Sequence, residues 1–181
     1  LSGRLAEKLD LGRRRTLLDV AGGSGIYACA LAGSNPKLRA AVLEMSPVDA
    51  AAKRSVSGKG MSGRVEILAG DMLKRIPGGF DIHLFANVFH DWDEEAVAKL
   101  AANSYAGLEP GGMIVIFDAH LNEDGNGPLA VAEYSCLLMH STAGRCYSTR
   151  EVGGFLGKAG FTGINVAEIA AFRTVVTGIK R

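Results

Sequence analysis

Short, continuously apolar runs alternate with longer segments of helical pattern along the first two thirds of the chain. Runs that are apolar at every position are typical of parallel strands covered by helices on both faces of a sheet. The predicted strands are 16–20, 39–44, 65–70, 81–87 and 113–119, and the predicted helices between them are 26–31, 47–57 and 93–108. This alternation predicts an α/β fold with a Rossmann-like, doubly wound and mostly parallel sheet.

The last third of the chain departs from this rhythm. Two predicted helices, 129–141 and 149–159, precede two β-rich runs, 164–170 and 172–180. The connection between these runs is too short for a helical crossover, so they predict an antiparallel hairpin at one edge of the sheet. The sheet then has about seven strands, and residues 1–181 are expected to form a single domain.

A glycine-rich turn follows the first predicted strand. Residues 23–28, GSGIYA, fit the G-x-G-x-x-G/A dinucleotide fingerprint, but the chain has 24 glycines, and roughly one match is expected by chance. Residues 58–63 and 125–130 fit it as well. Only the match at 23–28 lies between a predicted strand and a predicted helix, with Glu44 at the end of the next strand. The alternative is that these glycines only permit a tight turn.

Glycines at such a turn let a ligand approach the backbone, and a carboxylate at the end of the next strand can accept both hydroxyls of a ribose. Glu44 therefore predicts a cofactor that carries adenosine. A nicotinamide dinucleotide and another adenosine cofactor satisfy this pattern equally.

Two later segments place polar residues beyond strands. Asp71 is suited to accept a hydrogen bond from an adenine amino group, with Met72 packed on the ring; alternatively, Asp71 caps the next turn. His90 titrates near neutrality and is suited to take a proton from a weakly acidic hydroxyl, whereas its neighbour Asp91 could cap the next helix. Asp118 could orient that imidazole or bind loop backbone.

With these segments in order, the chain resembles the class I S-adenosylmethionine-dependent methyltransferases. It is similar in particular to small-molecule O-methyltransferases, which include plant caffeate and flavonoid enzymes and bacterial pigment and antibiotic tailoring enzymes. The similar segments are LLDVAGGSG (17–25) in the cofactor loop, VLEMSP (42–47) at the ribose, GDML (70–73) at the adenine, FHDW (89–92) at the catalytic position and GRCYSTREVGGFLGKAGF (144–161) around the last helix.

The resemblance implies S-adenosyl-L-methionine as the cofactor and S-adenosyl-L-homocysteine as the product. It implies His90 as general base with Asp118 as its partner. The implied cofactor-binding residues are Glu44 at the ribose, Asp71 and Met72 at the adenine, Ala21, Gly22, Gly23 and Gly25 at the methionine end, and in addition Asp19, Met45 and Asn87. Acceptor contacts are expected from Phe89, Trp92, the helix that carries Met139 and His140, and the loop around Cys146 and Tyr147.

The chain also departs from the plant pattern. Of the two glutamates that flank the catalytic histidine there, the first corresponds to Asp118 and the second to Cys146, which cannot act as a carboxylate while neutral. A lysine near the adenine corresponds to Ala86. The family's N-terminal dimerisation domain is expected to be absent from these 181 residues, so a homodimer is expected only where that domain is present.

Composition restricts the partners. The formal net charge is +1, and no segment has the length of a membrane span, so neither a nucleic acid nor a membrane is expected as a partner. The three cysteines, Cys29, Cys136 and Cys146, lack metal-ligand spacing, which indicates reduced thiols, a cytoplasmic location and no metal.

The predicted function is methyl transfer to a hydroxyl of a small aromatic or polyketide-like molecule. Two alternatives remain at this point: a nicotinamide-dependent oxidoreductase, and a cofactor-binding domain without turnover.

Overall fold

The computed structural model describes residues 1–181 as seven strands and six α-helices around one sheet. The strands are β1 (Thr16–Val20), β2 (Arg39–Glu44), β3 (Val65–Ala69), β4 (Ile82–Ala86), β5 (Met113–Asp118), β6 (Thr162–Ala170) and β7 (Arg173–Ile179). The helices are α1 (Ser2–Lys8), α2 (Ile26–Ser34), α3 (Val48–Gly58), α4 (Glu94–Gly107), α5 (Leu129–Ser141) and α6 (Thr149–Ala159). A 3₁₀ turn, Phe89–Asp91, follows β4.

The strand order is β3-β2-β1-β4-β5-β7-β6. Strands β1 to β5 pair in parallel, while β7 pairs antiparallel with both β5 and β6. The predicted α/β class, strand number and C-terminal hairpin are therefore confirmed. Helix α1 has no counterpart among the predicted elements.

Helices cover both faces of the sheet, and this explains the continuously apolar strands. In β4, Ile82 and Leu84 belong to the core on one side of the sheet, and Phe85 belongs to the core on the other side. All five residues of β4 are buried. A strand buried on both faces has no position for a solvated side chain, so the apolar and polar alternation of an exposed sheet is lost.

The strand order reverses between β1 and β4. In open α/β sheets, ligands bind outside the carboxyl ends of the strands at such a switch point. Because β7 runs antiparallel, its first residues lie at this same edge, and Thr174 pairs with Asp118 at the end of β5. The fold therefore brings β1, β4, β5 and the start of β7 to one edge of the sheet.

One predicted alternative is wrong. Asp93, not Asp91, is the N-cap of α4: its Oδ1 accepts a hydrogen bond of 2.9 Å from the Ala96 N–H. Asp91 instead closes the preceding 3₁₀ turn, which leaves its side chain available for other contacts. None of the helices is both long enough and apolar enough to cross a membrane.

Candidate active site

A cavity of about 700 Å³ opens at the carboxyl edge, where the strand order reverses. Its lining residues come from the end of β2, from the segments after β1, β2, β3 and β4, and from the loop after α5; they are Ala21, Leu43, Glu44, Met45, Val48, Gly70, Asp71, Met72, Leu73, Asn87, Val88, Asp91, Trp92 and Thr142. The volume and the mixture of apolar walls with a few polar groups are typical of small-molecule sites.

The backbone after β1 turns sharply over a buried carboxyl group. Ala21 and Gly23 have left-handed φ values of 53° and 56°. A Cβ on Gly22 would lie 2.5 Å from the Asp19 Cγ, so only glycine allows this approach. Ala21, which lacks that freedom, is held by a 2.9 Å hydrogen bond from its N–H to the Leu43 carbonyl.

Asp19 lies beneath this turn and does not line the cavity. Its Oδ2 accepts a hydrogen bond from the Ala28 N–H at 3.2 Å, near the start of α2, while its Oδ1 has no partner. Burial raises the pKa of Asp19 to about 7, against the opposing effect of the Ala28 hydrogen bond. The carboxyl group supports the turn from below.

Glu44, the last residue of β2, fixes the other side of the turn. Its Oε1 accepts a hydrogen bond of 2.8 Å from the Gly23 N–H, and its Oε2 accepts one of 3.1 Å from the Met45 N–H. Each carboxylate oxygen can accept a further hydrogen bond. The cavity wall therefore carries a positioned carboxylate with capacity for two neighbouring hydroxyl groups.

Asp71 lines the cavity and also caps a turn. Its Oδ1 accepts a hydrogen bond of 2.9 Å from the Leu73 N–H, and Lys74 Nζ lies 3.7 Å from its Oδ2. Asn103 holds the next residue through a 2.9 Å hydrogen bond to the Met72 carbonyl. The two interpretations of Asp71 are thus compatible, because the turn presents the side chains of Asp71 and Met72 at the cavity wall.

Asn87 connects the end of β4 to α2. Its backbone has a left-handed φ of 57°, and its Nδ2 donates a 3.0 Å hydrogen bond to the Tyr27 hydroxyl. A left-handed asparagine is less strained than most residues, and such positions concentrate at functional sites.

His90 is paired with a buried carboxylate. Its Nδ1 lies 2.5 Å from Asp118 Oδ1, which also accepts a hydrogen bond of 2.7 Å from the Ala119 N–H. Its Nε2 lies 3.5 Å from Asp91 Oδ1, and the Asp91 side chain, 47% exposed, lines the cavity. Because a carboxylate only accepts, Nδ1 carries a proton, and Nε2 is the nitrogen available as a base.

Burial alone would lower the pKa of His90. The hydrogen bond and charge of Asp118, together with the charge of Asp91, outweigh burial, so the pKa of His90 is raised. The sequence pattern predicts Asp91 as a helix cap, although its place directly after His90 is a signal for a role at the site.

Three residues expected to contact an acceptor are buried instead. Phe89 packs edge-on against Phe85, with ring centroids 5.2 Å apart. The Tyr147 hydroxyl donates a 2.7 Å hydrogen bond to the Trp92 carbonyl. Burial, with a smaller effect of nearby charge, raises the pKa of the Cys146 thiol to about 11, so this side chain is neutral near pH 7. Of the other expected contacts, Trp92 lines the cavity, while Met139 and His140 are exposed on α5.

The loop between α5 and α6 packs against the turn that carries His90. A Cβ on Gly144 would collide with the His90 carbonyl oxygen and would lie 2.5 Å from the Trp92 nitrogen. Thr142 of the same loop lines the cavity. No short-range pattern in the sequence indicates this contact, because about 50 residues separate its two sides.

The structure brings six of the proposed site residues to the cavity wall: Ala21, Glu44, Met45, Asp71, Met72 and Asn87. Gly22, Gly23 and Gly25 shape the turn beside it without lining it, and Asp19 lies beneath the turn. His90 and Asp118 are buried and do not line the cavity, whereas Asp91, whose Oδ1 lies 3.5 Å from His90 Nε2, and the half-buried Trp92 do line it.

Comparison with known proteins places this geometry in context. Residues 2–162 match the family model of the O-methyltransferase domain. A 3-hydroxy-5-methyl-1-naphthoate 3-O-methyltransferase of Streptomyces sahachiroi is 31% identical over 180 residues, which is 98% of this chain and 52% of that protein. The chain spans about half the length of the curated relatives it matches.

Two solved structures share the fold closely. An O-methyltransferase family 2 protein from Planctomyces limnophilus, complexed with apigenin, is 35% identical with a TM-score of 0.94, covering 100% of this chain and 57% of that one. A structure of PigF with SAH is 26% identical with a TM-score of 0.92, covering 99% of this chain and 61% of PigF.

Proposed function

Since the chain belongs to the O-methyltransferase family, we propose that its cavity binds S-adenosyl-L-methionine and that a methyl group is transferred to a hydroxyl of a small aromatic or polyketide-like molecule. The observation that carries this proposal is the imidazole of His90, held between two carboxylates beside a cavity whose wall also carries Glu44. The base and the ribose-binding acid belong to one site.

The residues present fit this cofactor. Glu44 would hold the ribose hydroxyls, Asp71 and Met72 would contact the adenine, and the turn over Asp19 would hold the methionine end. A Cβ on Gly23 would meet nothing within 4 Å, so this glycine leaves its side of the turn open to a ligand. When bound, the cofactor supplies a methyl group already activated on a sulfonium sulfur.

The protein's part in the reaction is positioning and proton transfer. Nε2 of His90 would take the proton of the acceptor hydroxyl as the hydroxyl oxygen attacks the activated methyl group. Asp118 would keep Nδ1 protonated and stabilise the imidazolium that forms. Asp91 would add to this stabilisation from the cavity side. Because these carboxylates raise the pKa of His90, the fraction of unprotonated base, and with it kcat/KM, would fall as the pH drops through that raised value.

An aromatic acceptor is supported by the cavity and by a relative. Val88 and Trp92, close to Asp91 in the chain, give the cavity wall an apolar character suited to a ring system. The Streptomyces sahachiroi relative is named for a hydroxylated naphthoate.

A nicotinamide-dependent oxidoreductase is set aside because the chain belongs to a methyltransferase family. A cofactor-binding domain without turnover is the second candidate. It is favoured by Cys146, which is neutral where the plant enzymes have a glutamate, and by the near burial of His90.

The test combines binding and turnover. Calorimetric titration with S-adenosyl-L-homocysteine should show binding, and NADH should not compete. Transfer of labelled methyl groups to a panel of hydroxyaromatic compounds should then be lost in His90→Gln, while binding of S-adenosyl-L-homocysteine is retained and serves as the control for folding. Binding without transfer to any hydroxyl compound would favour the second candidate, and tight NADH binding alone would contradict both.

A further inference from the structure

Tyr27, in the first turn of α2, is bound to the segment that leads into the candidate base. Its hydroxyl accepts a hydrogen bond of 3.0 Å from Asn87 Nδ2. Asn87 follows β4 directly and lies three positions before His90. The hydrogen bond therefore joins the helix that follows the cofactor turn to the segment that carries the base.

Asn87 is the point at which the chain leaves β4 for the turn of His90. Its left-handed φ of 57° takes the chain out of the extended conformation, and the 3₁₀ turn Phe89–Asp91 begins two residues later. A left-handed conformation costs free energy in any residue with a Cβ, so surrounding contacts have to hold it. Two contacts do so: the Asn87 N–H donates to the Phe117 carbonyl at 2.9 Å, and the side chain donates to Tyr27.

The same tyrosine also packs beside the partner of the base. The rings of Tyr27 and Phe117 meet edge-on at a centroid distance of 5.7 Å, and Phe117 directly precedes Asp118 in β5. The hydroxyl of Tyr27 thus contacts the segment of His90, and its ring contacts the strand of Asp118. A phenylalanine at position 27 keeps the ring contact and removes only the hydrogen bond.

We infer that Tyr27 is a positioning residue, whose hydroxyl holds Asn87 in its left-handed conformation and thereby fixes the position of the His90 imidazole. This inference rests on the proposed methyl transfer at His90. Proton transfer during in-line attack requires a narrow geometry, and a displacement of about 1 Å can lower a rate about 100-fold. Tyr27 does not line the cavity, so it acts on the reaction through Asn87.

Two simpler roles for Tyr27 make different predictions. If Tyr27 only fills space, removal of its hydroxyl leaves the reaction unchanged, because the ring of Phe89, packed on Phe85, is then sufficient to hold the turn. If Tyr27 contacts the cofactor, removal of its hydroxyl weakens the binding of S-adenosyl-L-homocysteine. A positioning role predicts a fall in kcat with little change in that affinity.

Tyr27→Phe is the central variant, and Tyr105→Phe is its matched control. Tyr105 is also half-buried and packs edge-on against a phenylalanine, Phe161, at 5.1 Å, but its hydroxyl has no hydrogen-bond partner in the protein. We expect Tyr27→Phe to lower kcat at least tenfold and to leave the Kd of S-adenosyl-L-homocysteine, measured by isothermal titration, within threefold of wild type. Tyr105→Phe should leave both values within twofold.

The Nδ1 proton of His90 gives a readout without turnover. An imidazole proton hydrogen-bonded to a carboxylate resonates far downfield in proton NMR, and the loss of the signal in His90→Gln identifies it. We expect this signal to shift or broaden in ligand-free Tyr27→Phe, because a displaced imidazole changes its distance to Asp118. The signal should stay in place in Tyr105→Phe.

Asn87→Gly tests whether the tyrosine acts through Asn87. Glycine adopts a left-handed φ without support and has no side chain to bind Tyr27, so adding Tyr27→Phe to Asn87→Gly should change kcat less than twofold. A further tenfold loss in this background would overturn the inference. Equal behaviour of Tyr27→Phe and Tyr105→Phe, or a raised Kd with unchanged kcat, would overturn it as well.

Failure of the inference is distinguishable from failure of the proposed function. Binding of S-adenosyl-L-homocysteine and methyl transfer by the wild type test the function alone. The NMR signal of His90 tests the positioning role of Tyr27 in protein that carries no ligand.

Discussion

Replacing Glu44 with glutamine tests how the cavity recognises a ribose. The carboxylate oxygens of Glu44 already accept hydrogen bonds from the N–H groups of Gly23 and Met45, at 2.8 and 3.1 Å, and each can accept one more. A glutamine has the same shape but one carbonyl oxygen, so it can accept from one ribose hydroxyl and presents an amide donor towards the other.

The size of the effect follows from the hydrogen bonds lost. A hydrogen bond to a charged group contributes about 1.5–3 kcal/mol, and each 1.4 kcal/mol corresponds to about a tenfold change in affinity. Loss of one such bond to the ribose therefore raises the Kd of S-adenosyl-L-homocysteine about 10- to 150-fold in Glu44→Gln. Glu44→Ala, which loses both, should exceed this range. Glu44→Gln also loses one of the two hydrogen bonds that the side chain accepts from backbone N–H groups, which contributes about 1 kcal/mol. This loss should lower the Tm by only about 2–4 °C.

Isothermal titration with S-adenosyl-L-homocysteine measures the change, and thermal unfolding without ligand separates affinity from stability. Glu66→Gln is the matched control, because Glu66 is an exposed carboxylate on the neighbouring strand β3 that does not line the cavity. Its Kd should stay within twofold of the wild-type value. A Kd within threefold of wild type for Glu44→Gln would refute the assignment of this carboxylate to the ribose.

Three further changes probe the base, the cofactor turn and the loop that packs on the base. Asp118→Asn removes the main charge that raises the pKa of His90, so the acid limb of the kcat/KM profile should move to lower pH and kcat should fall at least tenfold. A pH–rate profile whose acid limb does not move contradicts the pairing of His90 with Asp118. The pKa of Asp19 is about 7 in the folded protein and 3.8 in the unfolded chain, so the free energy of unfolding of the wild type should fall by on the order of 4 kcal/mol as the pH rises through that window. Denaturant unfolding at pH 4.5 and pH 8 measures the change. Asp19→Asn should lack this loss. Gly144→Ala places a methyl group against the His90 carbonyl and should reduce methyl transfer at least tenfold, more than it weakens binding of S-adenosyl-L-homocysteine. Gly154→Ala, whose new methyl group faces open space, should change neither.

Much of the fold could be predicted because its main signal is local. The buried strands are apolar at most positions without alternation, and the turn at Gly23 closely follows one of them, so both features are visible within a few residues of sequence. Helix α1 could not be predicted in the same way. It has seven residues, and its stability comes from packing Leu5 and Ala6 into the core beside α2.

The candidate site was predictable where its residues follow strand ends. Parallel strands place their carboxyl ends along one edge, so Glu44, Asp71 and Asn87 had to lie near one another once the fold was known. The burial of single side chains could not be predicted in this way. Phe89, Cys146 and Tyr147 follow the same local patterns as exposed residues, but the structure buries them.

What the sequence alone determined is therefore the layered fold, the edge at which a ligand binds and the order of the segments that reach it, because each depends on periodicity and on the direction of parallel strands. Only the tertiary structure decided which groups surround His90. Asp91 comes from the same turn, Asp118 from β5 and Gly144 from a loop about 50 residues away. Burial, hydrogen bonding and charge around a side chain are properties of these long-range neighbours, and no local pattern encodes them.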